Sequence, residues 1–162
     1  MKRPNIVYLH SHDTGRYVQP YGHAVPTPNI QSLAEEGVLF RQGFCAAPTC
    51  SPSRAALLTG QCAHNSGMLG LAHRGFALAD CDHHLAQVLK GSGYRTVLAG
   101  MHHVAASAET VGYEQTLEAE SRGADAVSRA AAAFLDSSPE APFFLDAGYS
   151  ETHLEFPEMP PE

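Results

Sequence analysis

Residues 50–60 read Cys-Ser-Pro-Ser-Arg-Ala-Ala-Leu-Leu-Thr-Gly, and this stretch governs how the rest of the chain is interpreted. It predicts a helix, because Ser51 can act as the N-cap and Pro52 falls in the first turn, where a backbone N–H is dispensable. Cys50 therefore stands at a helix N-terminus, where unpaired N–H groups and the positive end of the helix dipole favour a bound anion. Arg54 follows one turn later, and its planar donors can reach back toward that anion.

The segments around this stretch alternate between strand and helix patterns. Strands are predicted at 6–9, 38–40, 94–99 and 143–145, and helices at 29–36, 51–58, 82–90 and 123–135. Strands separated by helices predict an α/β fold, with a doubly wound, mostly parallel sheet that carries helices on both faces. No internal repeat or linker divides the chain, so we treat it as part of one domain.

Polar residues follow three of the predicted strands, at 12–13, 100–103 and 151–153. In open α/β sheets, ligands bind beyond the carboxyl ends of the strands. We therefore expect these three loops to converge on one site.

The composition excludes several classes of partner. The chain has 162 residues, 44% of them hydrophobic and 17% charged, and its formal net charge is −7. So acidic a protein is not expected to bind nucleic acid through a broad basic face. No apolar run reaches the length of a membrane span, and the short run at 6–9 does not read as a signal peptide. We predict a cytoplasmic protein with no membrane partner.

The 50–60 stretch resembles the signature of the sulfatase family, in which C-x-P-S-R is followed by a short helix and T-G. Members of that family have an alkaline-phosphatase-like fold, and a formylglycine-generating enzyme oxidises their signature cysteine to formylglycine. The hydrated aldehyde supplies the oxygen that attacks sulfur. The resemblance implies that Cys50 is the precursor of the nucleophile and that Arg54 assists it.

A second part of the resemblance concerns a metal. Family members open with a strand that ends in two acidic residues, which bind a divalent cation, usually calcium. Here the pair is His12-Asp13, so Asp13 matches and His12 replaces an acid. The resemblance implies a cation held by His12, Asp13 and the formylglycine made from Cys50. Calcium is the expected ion, but its identity stays open because imidazole prefers transition metals.

Two further segments match residues that bind sulfate in the family. Residues 100–103 resemble its G-K-x-H pattern, in which His103 matches the histidine and Met101 replaces the lysine. Residues 142–153 resemble its P-F-F-L strand and x-x-H loop, whose last histidine contacts sulfate or protonates the leaving group; His153 holds that position. The resemblance therefore implies four catalytic residues: Cys50, Arg54, His103 and His153.

The sequence indicates the substrate less clearly than it indicates the catalytic residues. Residues 67–71 resemble a loop of sulfamidase-like members, which implies a sulfated small molecule or sugar, or an N-sulfo group. His73 and Arg74 follow this loop and are candidates to line the substrate pocket.

The resemblance covers essentially the whole chain but only the front of the family's catalytic domain. We therefore interpret residues 1–162 as the N-terminal part of a single sulfatase catalytic domain whose C-terminal part is absent, and expect them to be inactive alone. Two alternatives stay open: a phosphate or phosphonate ester hydrolase of the same superfamily, and a non-catalytic homologue that binds a metal or anion. A zinc module fits less well, because the Cys and His residues lack finger-like spacing.

The remaining predictions concern packing. In helix 82–90, Leu85, Val88 and Leu89 are expected to face the core. His83 and His84, at the start of that helix, are expected to face solvent. Cys45, Cys62 and Cys81 form no C-x-x-C pair and are expected to be buried or free thiols.

Overall fold

The computed structural model describes residues 3–140 and 142–153, and in these residues one parallel sheet has four strands. The strands are β1 (Ile6–His10), β2 (Arg95–Gly100), β3 (Gln115–Leu117) and β4 (Phe143–Gly148). Their spatial order is β1-β4-β2-β3, and each neighbouring pair runs parallel. The predicted parallel α/β sheet is confirmed.

Five α-helices connect and flank these strands in the described part of the chain. They are α1 (Pro28–Glu36), α2 (Cys50–Thr59), α3 (Ala63–Ser66), α4 (Leu85–Gly91) and α5 (Ala124–Asp136). Short 3-10 turns lie at Gln19–Tyr21, Ala72–Arg74 and Glu109–Val111. None of the described helices is both long enough and apolar enough to cross a membrane.

The core has one layer on each face of the sheet, because successive side chains of a strand point to opposite faces. On one face, α5 packs its apolar residues against Val97 and Ala99 of β2 and Leu145 and Ala147 of β4. On the other face, Phe144 and Leu98 pack with residues of α4 and of the turn before β3. α2 packs alongside that second layer, with Ala55 and Leu58 buried. Helices therefore cover both faces, as predicted.

The structure corrects the sequence interpretation in two places: one predicted strand is not formed, and one observed strand was not predicted. Residues 38–40 were predicted as a strand, but they are irregular, and Val38 and Phe40 are 78% and 75% exposed. A strand needs a neighbour to satisfy its backbone groups, and no described strand pairs with this segment. Conversely, β3 was not predicted, because three residues are too few for an alternating pattern to stand out.

The prediction for helix 82–90 was wrong in its start and for two of its three core residues, whereas Leu89 packs against the core as predicted. α4 begins at Leu85, and His84 is its N-cap, with Nδ1 accepting a hydrogen bond from the backbone N–H of Ala86 at 3.2 Å. His84 is completely buried rather than solvent-facing, whereas Leu85 and Val88 are exposed. Ala86 faces the core instead, and its short side chain lets α4 approach the sheet closely.

The cap of α2 also differs from the prediction. Thr49 occupies the N-cap position, and Ser51 lies inside the first turn, fully buried. The Ser51 hydroxyl instead accepts a hydrogen bond from the backbone N–H of Ala72 at 3.1 Å. Ser51 therefore ties α2 to the turn that carries His73.

Candidate active site

The loops after β1, β2 and β4 meet at the carboxyl edge of the sheet, as the sequence predicts. The backbone N–H of His12 donates to the carbonyl of Glu151 at 2.8 Å, and that of Thr152 donates to the carbonyl of His12 at 2.7 Å. The ring of His12 lies 5.8 Å from the ring of His103 and 5.3 Å from that of His153, between centroids. Three segments far apart in sequence thus place their histidines side by side.

His12 lines two of the cavities at this edge. The first has a volume of about 550 Å³ and is lined by residues that include Cys50, Arg54, His10 and Asp13. The second, of about 360 Å³, is lined by His73, Met101, His103, Arg122, Ser150 and His153. All six residues predicted for the site therefore line one of these two adjoining cavities.

His12, Cys50 and His153 form the tightest group of potential ligands. One ligand atom from each lies within 4.8 Å of those of the other two. His12 is only 1% exposed, and neither of its ring nitrogens has a hydrogen-bond partner among the described residues. Asp13 is exposed and does not belong to this group, although it lines the same cavity as Cys50.

Burial favours the neutral form of His12 and of His103. It lowers the pKa of His12 from 6.5 to about 4, helped by the positive charges of Arg54, His103 and His153 and opposed by Asp13. Burial also lowers the pKa of His103, with His73 as the next cause. Neutral imidazoles can accept a proton, donate one N–H, or bind a metal.

Arg54 is held by contacts at the end of β1. Its Nη1 lies 2.5 Å from Nδ1 of His10, and its Nη2 donates to the carbonyl of Ser11 at 3.2 Å. The other ring nitrogen of His10, Nε2, lies 2.9 Å from Oδ1 of Asp146 in β4. Asp146 is completely buried, and its second oxygen accepts a hydrogen bond from the Tyr113 hydroxyl.

A family model described as Sulfatase matches residues 4–162. The chain belongs to the sulfatase family. This sulfatase chain is 34% identical over 161 residues to the N-sulphoglucosamine sulphohydrolase of Homo sapiens, a match that covers 92% of this chain and 32% of that protein.

Two solved structures resemble this sulfatase chain in fold. A protein in complex with its substrate D-glucosamine-2-N,6-O-disulfate matches with a TM-score of 0.78 at 22% identity, over 94% of this chain and 35% of that one. A phosphonate monoester hydrolase of Agrobacterium radiobacter matches with a TM-score of 0.71 at 22% identity, over 93% and 41%. The alkaline-phosphatase-like fold is confirmed. The chain spans less than half the length of each of these relatives.

Three side chains of the candidate site were not predicted from the sequence. Arg122 lines the second cavity, and its Nη1 lies 3.9 Å from the sulfur of Met101, the residue that replaces the expected lysine. His10 and Asp146 make the contacts that hold Arg54. A charged residue within the apolar run 143–148 was a signal for Asp146, whereas Arg122 lies in a polar loop with nothing to mark it.

The neighbouring candidates divide into cavity residues and structural ones. His73 lines the second cavity, whereas Arg74 is exposed and lines neither of the two cavities; a role for either residue in a substrate pocket stays a prediction. His102 is 9% exposed, and its Nδ1 accepts from the backbone N–H of Val104 at 3.3 Å, which is a structural role. Cys45, Cys62 and Cys81 are free thiols, the first two of them exposed.

Proposed function

We propose that this chain carries the nucleophile and much of the sulfate site of a sulfuric ester or N-sulfo hydrolase, with Cys50 converted to formylglycine. One observation carries the proposal: Cys50 begins α2 in a cavity shared with Arg54 and His12, and lies next to His153. The 34% identity to a sulphohydrolase along nearly the whole chain supports the same reaction class.

Each proposed catalytic residue has a physical reason for its role. Formylglycine, once hydrated, supplies one oxygen that attacks sulfur and a second hydroxyl that helps to expel sulfate. The first turn of α2 directs N–H groups toward the anion. Arg54 adds a cation with planar, paired donors, which suit sulfate oxygens.

We assign the remaining steps to two of the histidines that line the second cavity, His103 and His153. The lowered pKa of His103 leaves it neutral near pH 7, so we assign it a hydrogen bond to a sulfate oxygen. His153 then protonates the leaving alcohol or amine, since it also lies beside Cys50. Arg122 supplies the positive charge that Met101 lacks, because both line this cavity.

We also propose a divalent cation next to Cys50. The buried, unpartnered nitrogens of His12 and the nearby Cys50 and His153 fit a metal ion. Two imidazoles and a thiol are donors that zinc and other transition metals prefer, whereas calcium binds oxygen. Asp13, the carboxylate of the predicted set, lines the same cavity as Cys50. Calcium stays a prediction; the described donors favour a transition metal while Cys50 is a thiol.

For the substrate, we propose a sulfated sugar or another sulfated small molecule. The resemblance of residues 67–71 to a sulfamidase-like loop and the likeness to N-sulphoglucosamine sulphohydrolase support an N-sulfo or sugar sulfate group. The maturation partner is a formylglycine-generating enzyme, which would read residues 50–54.

The alternative function is a hydrolase of the same fold whose nucleophile attacks phosphorus instead of sulfur. The fold is shared with a phosphonate monoester hydrolase, so it does not separate sulfate from phosphate or phosphonate esters. Rates on matched aryl sulfate and aryl phosphonate esters, measured on a longer protein that contains these residues, discriminate between the two. A higher rate on the phosphonate would contradict the sulfatase proposal.

Mass spectrometry of the Cys50 peptide is the direct test. The chain is produced with and without a formylglycine-generating enzyme, and the peptides of Cys45 and Cys62 serve as internal controls, since both thiols are exposed. We expect the aldehyde at Cys50 alone, and only with the enzyme. An intact thiol in both preparations would favour the non-catalytic metal- or anion-binding homologue.

A further inference from the structure

A buried polar chain runs from the core of the sheet to the Cys50 cavity, through Tyr113, Asp146, His10 and Arg54. Asp146 is 0% exposed, and the His10 side chain is 9% exposed. A buried carboxylate is costly unless it is paired and hydrogen-bonded. Asp146 has such partners in His10 and Tyr113, and the far side of His10 contacts the Arg54 guanidinium.

The chemistry of these groups leaves one arrangement of protons. A guanidinium has only donors, so Nδ1 of His10 must accept from Arg54. Nε2 of His10 must then carry the proton and donate a hydrogen bond to Asp146. Burial, followed by the charge of Asp146, raises the pKa of Tyr113 above its ordinary value, which keeps the hydroxyl protonated as a donor. Each member thus orients the next.

The imidazole of His10 is also confined by packing. Its ring stacks on Tyr8, with centroids 4.8 Å apart and planes at 28°. Gly148 of β4 lies against the same ring, and a Cβ atom at that position would collide with it and with the carbonyl of Met101. His10 therefore has little freedom to turn away from Arg54.

We propose that His10 and Asp146 are positioning residues, which hold the Arg54 guanidinium at the Cys50 cavity in the orientation that binds a tetrahedral oxyanion. This inference rests on the proposed function, since it assigns an anion to that cavity. An unrestrained arginine would lose side-chain entropy on binding the anion, and a guanidinium fixed beforehand avoids that cost.

The test compares a conservative and an apolar replacement of the same contact. His10→Gln keeps one acceptor and donors in the side chain, so it can still link Arg54 to Asp146. The double variant His10→Leu/Asp146→Leu removes both groups together, so that no unpaired charge is left in the core. Thermal unfolding of each variant establishes that the sheet is intact.

Two measurements on the 162-residue chain report on Arg54 itself. Nitrogen-15 NMR at a pH above the usual imidazole pKa gives the His10 tautomer, which we expect to be protonated on Nε2. Relaxation of the Arg54 side-chain Nε gives its mobility, with exposed Arg129 as the internal reference. We expect Arg54 to be rigid in the wild type and in His10→Gln, and as mobile as Arg129 in the double variant.

A titration with inorganic sulfate then links positioning to binding. We expect sulfate affinity to fall about tenfold in the double variant and to be largely retained in His10→Gln. A wild-type His10 protonated on Nδ1, or an Arg54 equally rigid in the double variant, would overturn the proposal. If the wild type binds no sulfate, the anion site itself fails, while the tautomer and mobility still decide whether Arg54 is positioned.

Discussion

The imidazole rings of His73 and His103 are stacked, with centroids 5.4 Å apart and planes only 8° from parallel. Nδ1 of His73 lies 3.2 Å from Nε2 of His103, so one nitrogen must donate and the other accept. If both rings were fully protonated, two donors would face each other. A charge on His73 therefore lowers the pKa of His103, and both rings line the cavity that also contains His153.

Replacing His73 should make His103 easier to protonate. In His73→Leu we expect the pKa of His103 to rise toward its ordinary value, because the charge of His73 is the second cause of the lowering. The pKa should stay below 6.5, since burial, the larger cause, remains. An NMR pH titration of the His103 ring protons measures it. His64→Leu, at an exposed position of α3, is the control. A His103 pKa that falls or does not move would contradict the coupling.

The metal prediction can be checked by spectroscopy without activity. Cobalt(II) added to the unconverted chain should give the thiolate charge-transfer and tetrahedral d–d bands of a site with nitrogen and sulfur ligands. We expect the charge-transfer band to disappear in Cys50→Ser and cobalt affinity to fall more than tenfold in His12→Gln. Cys45→Ser is the matched control, since Cys45 lines the same cavity but lies outside the three-residue ligand group. Identical spectra for Cys50→Ser and the wild type would exclude Cys50 as a ligand.

The assignment of Arg122 predicts a loss of anion affinity with no loss of stability. Arg122→Gln should weaken inorganic sulfate binding by about fivefold, since a charge-assisted hydrogen bond contributes ~1 kcal/mol more than the neutral one that replaces it. Arg129→Gln removes an equal charge from the surface, where Arg129 pairs with Glu120 at 3.2 Å, and should have little effect. Equal losses in both variants would show that only net charge matters. The thermal midpoints of the two variants should agree.

Buried histidines predict that stability falls in acid. The pKa of His84 is lowered from 6.5 to about 4 by burial, so the folded state prefers the neutral ring while the unfolded chain takes up a proton near pH 6.5. The stabilisation is therefore complete above pH 6.5, declines as pH falls toward about 4, and is fully lost below that value. His102 has the same direction and range.

A cap-preserving variant isolates the contribution of His84. His84→Asn removes the titrating ring and retains a good N-cap for α4. Between pH 6 and 4.5, roughly, we expect its free energy of unfolding to depend on pH less steeply than that of the wild type, by at most ~1.4 kcal/mol per pH unit. His83→Asn changes the exposed neighbour and should follow the wild-type curve. Parallel curves for all three proteins would contradict the assignment. Urea unfolding at each pH supplies the data.

The parts of the fold that the sequence predicted are those with long, consistent patterns. β1, β2, β4 and α5 were located to within a few residues, because apolar runs or helical periodicity marked them. The strand predicted at 38–40 was wrong because a three-residue apolar run has no period that distinguishes a strand from an exposed loop. The prediction for α4 was wrong at Leu85 and Val88, because the smaller Ala86 faces the core in their place, while Leu89 packs against the core as predicted.

The sequence predicted those residues of the site that follow from sheet topology or from a motif. The rule for parallel sheets brought the loops of His12, His103 and His153 together. Arg122 was out of reach, because its place depends on a backbone hydrogen bond in which the N–H of Ser150 donates to the Arg122 carbonyl at 3.1 Å. The Asp146–His10 contact depends on strand register, which places Tyr8 opposite Asp146 and His10 opposite Gly148.

The hydrogen bonds that join the His12 loop to residues 151–152 also set the order in which the site can assemble. They close a loop of about 140 residues, and such distant contacts form late because a long segment must first be brought together. The Cys50 segment, by contrast, is helical through local contacts and emerges from the ribosome long before β4. Under the proposed function, a modifying enzyme would therefore find the Cys50 thiol uncovered during synthesis, before His153 arrives to enclose it.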